Sequence, residues 1–188
     1  QHSCGIQSPG RLLCWGRNED GELGLAQPAS IRVEVPSMVG SENDWIDVRV
    51  GTGSTCGIRQ GGSLWCWGRL EAFGGGGTQL SPVRVAEGSS FRRVQLGEGS
   101  LCAIAESGTL WCAGANGSGQ LGLGDQVARP QLTQVGTGSD WVDISFGQAH
   151  MCARQTDGST WCAGANASGQ LGVGDTTMRT QLTQAFIR

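Results

Sequence analysis

The feature that most constrains this chain is a short cysteine-flanked segment that recurs at a fixed period. It is cleanest at residues 102–112, CAIAESGTLWC, which runs into the glycine-rich AGANGSGQLGLGD. Fifty residues on, CARQTDGSTWC is followed by AGANASGQLGVGD, and roughly two thirds of the positions in 107–134 and 157–184 are identical. Self-similarity at such a period marks a repeat architecture, in which each unit buries its faces only against its neighbours.

Four copies align on their paired cysteines: Cys4/Cys14, Cys56/Cys66, Cys102/Cys112 and Cys152/Cys162, all at the same spacing. The midpoint of every pair is a turn sequence, Ser8-Pro9-Gly10, Gln60-Gly61-Gly62, Glu106-Ser107-Gly108 or Thr156-Asp157-Gly158. Glycine and proline supply the backbone angles that tight turns need. Antiparallel strands folded about that midpoint bring the two cysteines opposite each other, within disulfide range. A zinc site would instead need short Cys-x-x-Cys knuckles, usually with histidine, and the chain has none. Four hairpin disulfides are therefore expected, and with them an oxidising compartment.

The surrounding sequence completes the unit. Segments 44–51, 91–97 and 140–147 alternate and are rich in β-branched residues, as strands are. A further strand is expected after each glycine-rich segment, at 32–35, 82–85, 131–134 and 181–184. In the second copy Trp65 and Trp67 share one strand face and Cys66 points the other way, which reads as packing between neighbouring sheets. Each repeat is then a four-stranded antiparallel sheet, and such sheets stacked radially are propeller blades. The expectation is an all-β propeller in one repeat domain, 1–188, with blades at approximately 1–43, 44–89, 90–139 and 140–188. The first copy lacks the strand that opens the others, so an incomplete propeller, or one completed by another subunit, is expected.

The strings LWCAGANGSGQLGLGD, TWCAGANASGQLGVGD and CWGRNEDGELGL, with FGQAHMC before Cys152, resemble the repeat of the regulator of chromosome condensation family. The resemblance covers essentially the whole chain and implies a propeller that acts mostly as a binding platform. Paired cysteines depart from the intracellular pattern of that family and imply a secreted, bacterial-type branch. A second departure is the run 69–77, RLEAFGGGG, where the other copies keep a form of Gly-Gln-Leu-Gly.

Chemistry-bearing residues are sparse. His2 and His150 share one repeat position, where Ser54 and Ser100 stand in the other copies, and this reads as a structural hydrogen-bonding site. No partner recurs beside them in a triad-like arrangement, so no catalytic residue is assigned. Asp125 and Asp175 close glycine-rich segments and Asp20 lies in the first. Without the dense alternating acids of a calcium loop, they read as turn-closing residues. Gly117–Gly122 is followed by no helical pattern, which argues against a dinucleotide site. No cofactor and no metal are expected. Asn116 and Asn166 fall in Asn-x-Ser patterns that the repeat itself generates. Arg49, Arg92 and Arg93 read as solvated or ion-paired.

All 13 basic residues are arginine, the net charge is −3, and no basic run exists, which argues against nucleic acid. No stretch is long and apolar enough for a spanning helix. Gln1 is not an initiator, so the expectation is a chain processed or cut from something longer, whose lost part carried an export signal. In repeat scaffolds, shared positions hold the fold and divergent loops carry specificity. The candidate partner-binding residues are accordingly Asn18, Glu19 and Asp20, then Arg69, Glu71 and Phe73, with Gln126 and Met178 as secondary candidates. The expected function is a secreted or extracellular (periplasmic or cell-surface) non-enzymatic scaffold that presents loops to a protein partner. Two alternatives are a structural subunit of an adhesin or filament, self-associating through the open first blade, and an enzyme inhibitor of the propeller type. An enzyme or lectin ranks below these. Nucleotide exchange on a small GTPase, which the resemblance also implies, fits least, because oxidised cysteines and a cytoplasmic role do not go together.

Overall fold

A computed structural model describes residues 1–27, 32–70 and 77–186, and these are built from strands and turns without a helix. The first sheet has three strands, β1 (His2–Gln7), β2 (Arg11–Arg17) and β3 (Arg32–Met38). The second holds β4 (Trp45–Val50), β5 (Ser54–Arg59), β6 (Leu64–Arg69) and β7 (Thr78–Arg84), in that order. The third repeats it with β8 (Phe91–Leu96), β9 (Ser100–Ala105), β10 (Leu110–Gly114) and β11 (Arg129–Gln134). The fourth does so with β12 (Trp141–Phe146), β13 (His150–Gln155), β14 (Thr160–Gly164) and β15 (Arg179–Gln184). All pairings are antiparallel. The blades follow one another around an axis without closing a ring, as the sequence pattern leads one to expect, and β4, β8 and β12 lie innermost.

The hairpin turns do two jobs. They set the register that places Cys4 opposite Cys14, Cys56 opposite Cys66, Cys102 opposite Cys112 and Cys152 opposite Cys162. All four pairs are disulfide-bonded, with Cα atoms 4.1 Å apart. The turns also dock the next blade: Trp45 N donates to Gly10 O (3.1 Å), Phe91 N to Gly62 O (2.8 Å) and Trp141 N to Gly108 O (3.1 Å). Gly108 has φ +83° and lies so close to Ser139 that a Cβ would collide with that residue's carbonyl. Only glycine meets both demands at once.

The core is a series of inter-blade layers, not one centre. Between the first and second sheets Leu12, Cys14, Leu23 and Val39 pack on Trp45 and Trp67, whose rings meet edge to face at 5.7 Å. Cys66, on the other face of the same strand, packs with Phe91, Val94 and Leu101 of the third sheet. The third layer joins Ile104, Leu121 and Val135 to Trp141, Ile144 and Met151. Each blade is thus apolar on both faces, and no residue of the outermost strands β3, β7, β11 and β15 is fully buried.

A candidate partner-binding face

The hairpin turns occupy one end of the blades, and the glycine-rich loops occupy the other. In the third blade the loop is held from within by Asn116, only 1% exposed. Its Oδ1 accepts from Leu121 N (3.0 Å), and its Nδ2 donates to Asp125 O (2.9 Å) and Val127 O (3.1 Å). Asn166 repeats this in the fourth blade with Leu171 N, Asp175 O and Thr177 O. The Asn-x-Ser patterns therefore sit on buried, fully engaged amides, and the folded protein presents neither for glycosylation.

Asp125 and Asp175 close these loops as turn residues. Their Oδ1 atoms accept from Val127 N (2.9 Å) and Thr177 N (2.8 Å), and their Oδ2 atoms from Arg129 (2.5 Å) and Arg179 (2.6 Å). The arginine hydrogen bond is the first cause that holds each carboxyl below the usual range, and the backbone N–H is the second.

The first loop departs from this plan in charge. Asn18 is 2% exposed and its Oδ1 accepts from Leu23 N (3.1 Å). It is the repeat's own loop-holding asparagine, so it cannot be offered to a partner, which corrects the expectation placed on it. Glu22 stands where the other loops have Gln120 and Gln170. Its carboxylate, 1% exposed, accepts from Asp20 N (2.7 Å) as those amides accept from Ser118 N and Ser168 N. Burying a carboxylate requires a cation, and Arg17 supplies it with Nε 3.8 Å from Glu22 Oε1. Ala115 and Ala165 hold the position of Arg17 in the third and fourth blades, and Arg69 holds it in the second. Neither residue of this pair stands out in a single reading of the chain. Superposing GRNEDGEL on GANGSGQL shows both changes together.

Arg17 also reaches outward, to Glu19 Oε2 (2.5 Å) and Asp20 Oδ2 (3.7 Å). Asp20 and Arg69 both lie against Gly53: a Cβ there would come within 2.7 Å of Asp20 Oδ2 and 3.4 Å of the Arg69 guanidinium. Glu19, Asp20 and Arg69, taken from two blades, therefore share one end of the first junction. Glu71 and Phe73 lie outside the described residues. Gln126 and Met178 meet across the third and fourth blades, with Gln126 Nε2 3.7 Å from Met178 Sδ.

Beneath the charged group the junction is locked by hydrogen bonds. Glu22 O accepts from Thr55 Oγ1 (2.7 Å) and Trp67 Nε1 (3.0 Å). Since the Thr55 hydroxyl proton is spent there, the His2 Nε2 contact at 2.7 Å makes His2 the donor. Burial lowers the His2 pKa to about 4, so the ring is neutral. The register histidine holds two blades together. A cleft of about 680 Å³ lined by His2, Arg17, Glu22 and Gly51–Gly53 opens beside it. Arg49 pairs with Asp47 (2.8 Å), Arg93 with Asp143 (3.0 Å), and Arg92 donates to Trp141 O (2.6 Å). Among the described residues no helix is long and apolar enough to cross a membrane.

Residues 9–58 and 107–154 match the family model described as "Regulator of chromosome condensation (RCC1) repeat". A curated relative, the mitochondrial RCC1 domain-containing protein RUG3 of Arabidopsis thaliana, is 28% identical over 72 residues, which are 38% of this chain and 16% of that protein. The fold resembles that of human WBSCR16, with a TM-score of 0.87 at 18% identity over 99% of this chain and 51% of that one. It also resembles yeast RCC1 (Prp20), solved bound to Kap60, with a TM-score of 0.83 at 17% identity over 99% of this chain and 47% of that one. The chain therefore spans about half the length of the solved structures it matches and less of the curated relative.

Proposed function

Because the chain belongs to the RCC1 repeat family, we propose that it is a non-enzymatic scaffold that presents propeller loops to a protein partner in an oxidising, extracellular or periplasmic setting. The observation that carries the reading is the first-junction loop face. Glu19, Asp20 and Arg69 are gathered there on a support fixed by the hydrogen bonds of Asn18, Thr55 and Trp67. A rigid base lowers the entropy cost of binding, so exposed charged side chains on it recognise a partner without first being ordered. Charge on such a rim gives selectivity and association rate. Yeast RCC1 (Prp20), of the same fold, binds the protein Kap60. Four disulfides among four blades support the compartment, since reducing compartments do not maintain such bonds.

The test is affinity capture by the oxidised protein, set beside a Glu19→Ala/Asp20→Ala/Arg69→Ala variant whose disulfides and circular dichroism match the parent. A partner retained by the parent and lost by the variant supports the reading. An identical retained set sinks the assignment of this face. Thiol titration of protein from its native source checks the compartment: eight reactive thiols in the unreduced, unfolded chain would overturn it.

A further inference from the structure

The chain contains its own comparison for a second site. Ninety-six residues separate Asp44, Trp45, Arg59 and Trp65 from Asp140, Trp141, Gln155 and Trp161, and the two sets hold equivalent places at the first and last blade junctions. At the first junction the Arg59 guanidinium lies over both indoles, 5.7 Å from the Trp45 centroid and 5.4 Å from that of Trp65. Its Nε donates to Asp44 Oδ1 (2.6 Å), and Glu42 Oε1 lies 4.0 Å from NH1.

At the last junction the acid and both tryptophans are kept, but the arginine is Gln155 and Glu42 is replaced by Gly138. A cleft of about 410 Å³ results, lined among others by Val135, Gly138, Trp141, Gln155 and Trp161. Gln155 is held to one side: its Nε2 donates to Asp140 Oδ1 (2.9 Å) and its Oε1 accepts from Ser159 Oγ (3.0 Å). Trp141 is 5% exposed, and its indole N–H has no partner, as that of Trp45 has none at the first junction. The middle junction, with Ser90, Phe91, Ala105 and Trp111, has neither the acid nor the arginine, so the repeat as such does not require this arrangement.

We propose that the cleft between the third and fourth blades binds an arginine side chain presented by a partner polypeptide. The guanidinium would stack on Trp141 and Trp161 and meet Asp140, as Arg59 does with Trp45, Trp65 and Asp44 within the chain. Arginine fits better than lysine because its plane stacks on indoles and its fork matches a carboxylate. The proposal rests on the binding-scaffold reading and gives it a second contact of defined chemistry.

The probe is acetyl-Gly-Arg-Gly-amide, followed by NMR at the tryptophan indole N–H resonances. Its citrulline analogue and N-acetylglucosamine serve as neutral competitors. A saturable shift at Trp141 and Trp161, with an affinity on the order of millimolar and roughly tenfold weaker for citrulline, is expected. Asp140→Asn should weaken arginine binding by about the same factor. The pair Gly138→Glu with Gln155→Arg rebuilds the first junction and should abolish binding while the protein stays folded. Should that pair fail to fold, Asp140→Asn still decides. Equal binding of citrulline, preference for the saccharide, absence of a saturable shift, or undiminished binding by Asp140→Asn overturns the site. Such a result leaves the loop-face capture untouched, so the two readings fail separately.

Discussion

His2 donates to Thr55 across the first junction and is neutral when it does so, because burial brings its pKa down to about 4 from 6.5. The folded value lies below the unfolded one, so the unfolded chain binds the proton more readily. The stabilisation is therefore complete above pH 6.5 and is lost as the pH falls towards 4. With the ring still partly solvated, about 1–2 kcal/mol is the expected loss. Urea denaturation of the wild type should show this decline, and His2→Gln, which keeps a donor but cannot titrate, should be flat over the same window. An equal decline in both proteins would assign the effect elsewhere. Asp125 and Asp175 do not interfere, since their contribution is held until the pH falls below the ordinary 3.8. The role of His2 is visible in the chain because the same position recurs before Cys4 and Cys152. Its partner is not, since Thr55 belongs to the next blade and only the packing of blades brings them together. The place of Asn18 is hidden for a related reason: its flanking charges differ from those of the other copies, although the asparagine is the element shared with Asn116 and Asn166.

The hairpin is the element at which sequence pattern and structure agree most closely. A turn midway between two cysteines fixes the register, so opposition of the sulfurs follows from counting, and β5–β6 or β9–β10 required no long-range information. The long loops are different. Their shape depends on buried amides whose acceptors, Asp125 O and Val127 O, lie nine and eleven residues away, and on glycines that yield to the adjacent blade. Such distances carry no periodicity to read. The disulfides themselves can be weighed. Each closes a loop with a sequence separation of 10, for which chain entropy gives about 3 kcal/mol. Replacing Cys102 and Cys112 together by alanine removes the bond and adds a small cavity, so a loss of about 3–4 kcal/mol is expected. Guanidinium denaturation at equal pH measures it. A loss below about 1 kcal/mol would mean that the strand pairing alone already restrains the unfolded hairpin.

At the scale of the whole molecule, stability is a chain of nearest-neighbour layers with no common centre. Each blade has apolar residues on both faces, and each layer is shared by two blades only, so damage to one layer should stay local. Trp67 is the sharpest place to test this. It is fully buried, packs edge to face on Trp45, and donates to Glu22 O, which ties the first loop to the second blade. Trp67→Ala removes a fully buried indole of the first layer and leaves Glu22 O with Thr55 alone, at a cost of about 3–5 kcal/mol. In a molecule with one core, that loss would lower exchange protection everywhere. Here the third and fourth blades keep their own layer through Ile104, Leu121, Trp141 and Met151. Hydrogen exchange of Trp67→Ala should show protection lost in β1–β3, reduced in β4–β7, and close to wild type in β8–β15. Uniform loss would mean that the blades unfold as one unit. The same locality is what allows one junction to be filled in cis by Arg59 and another to stand open, since altering a junction need not disturb the blades beyond it.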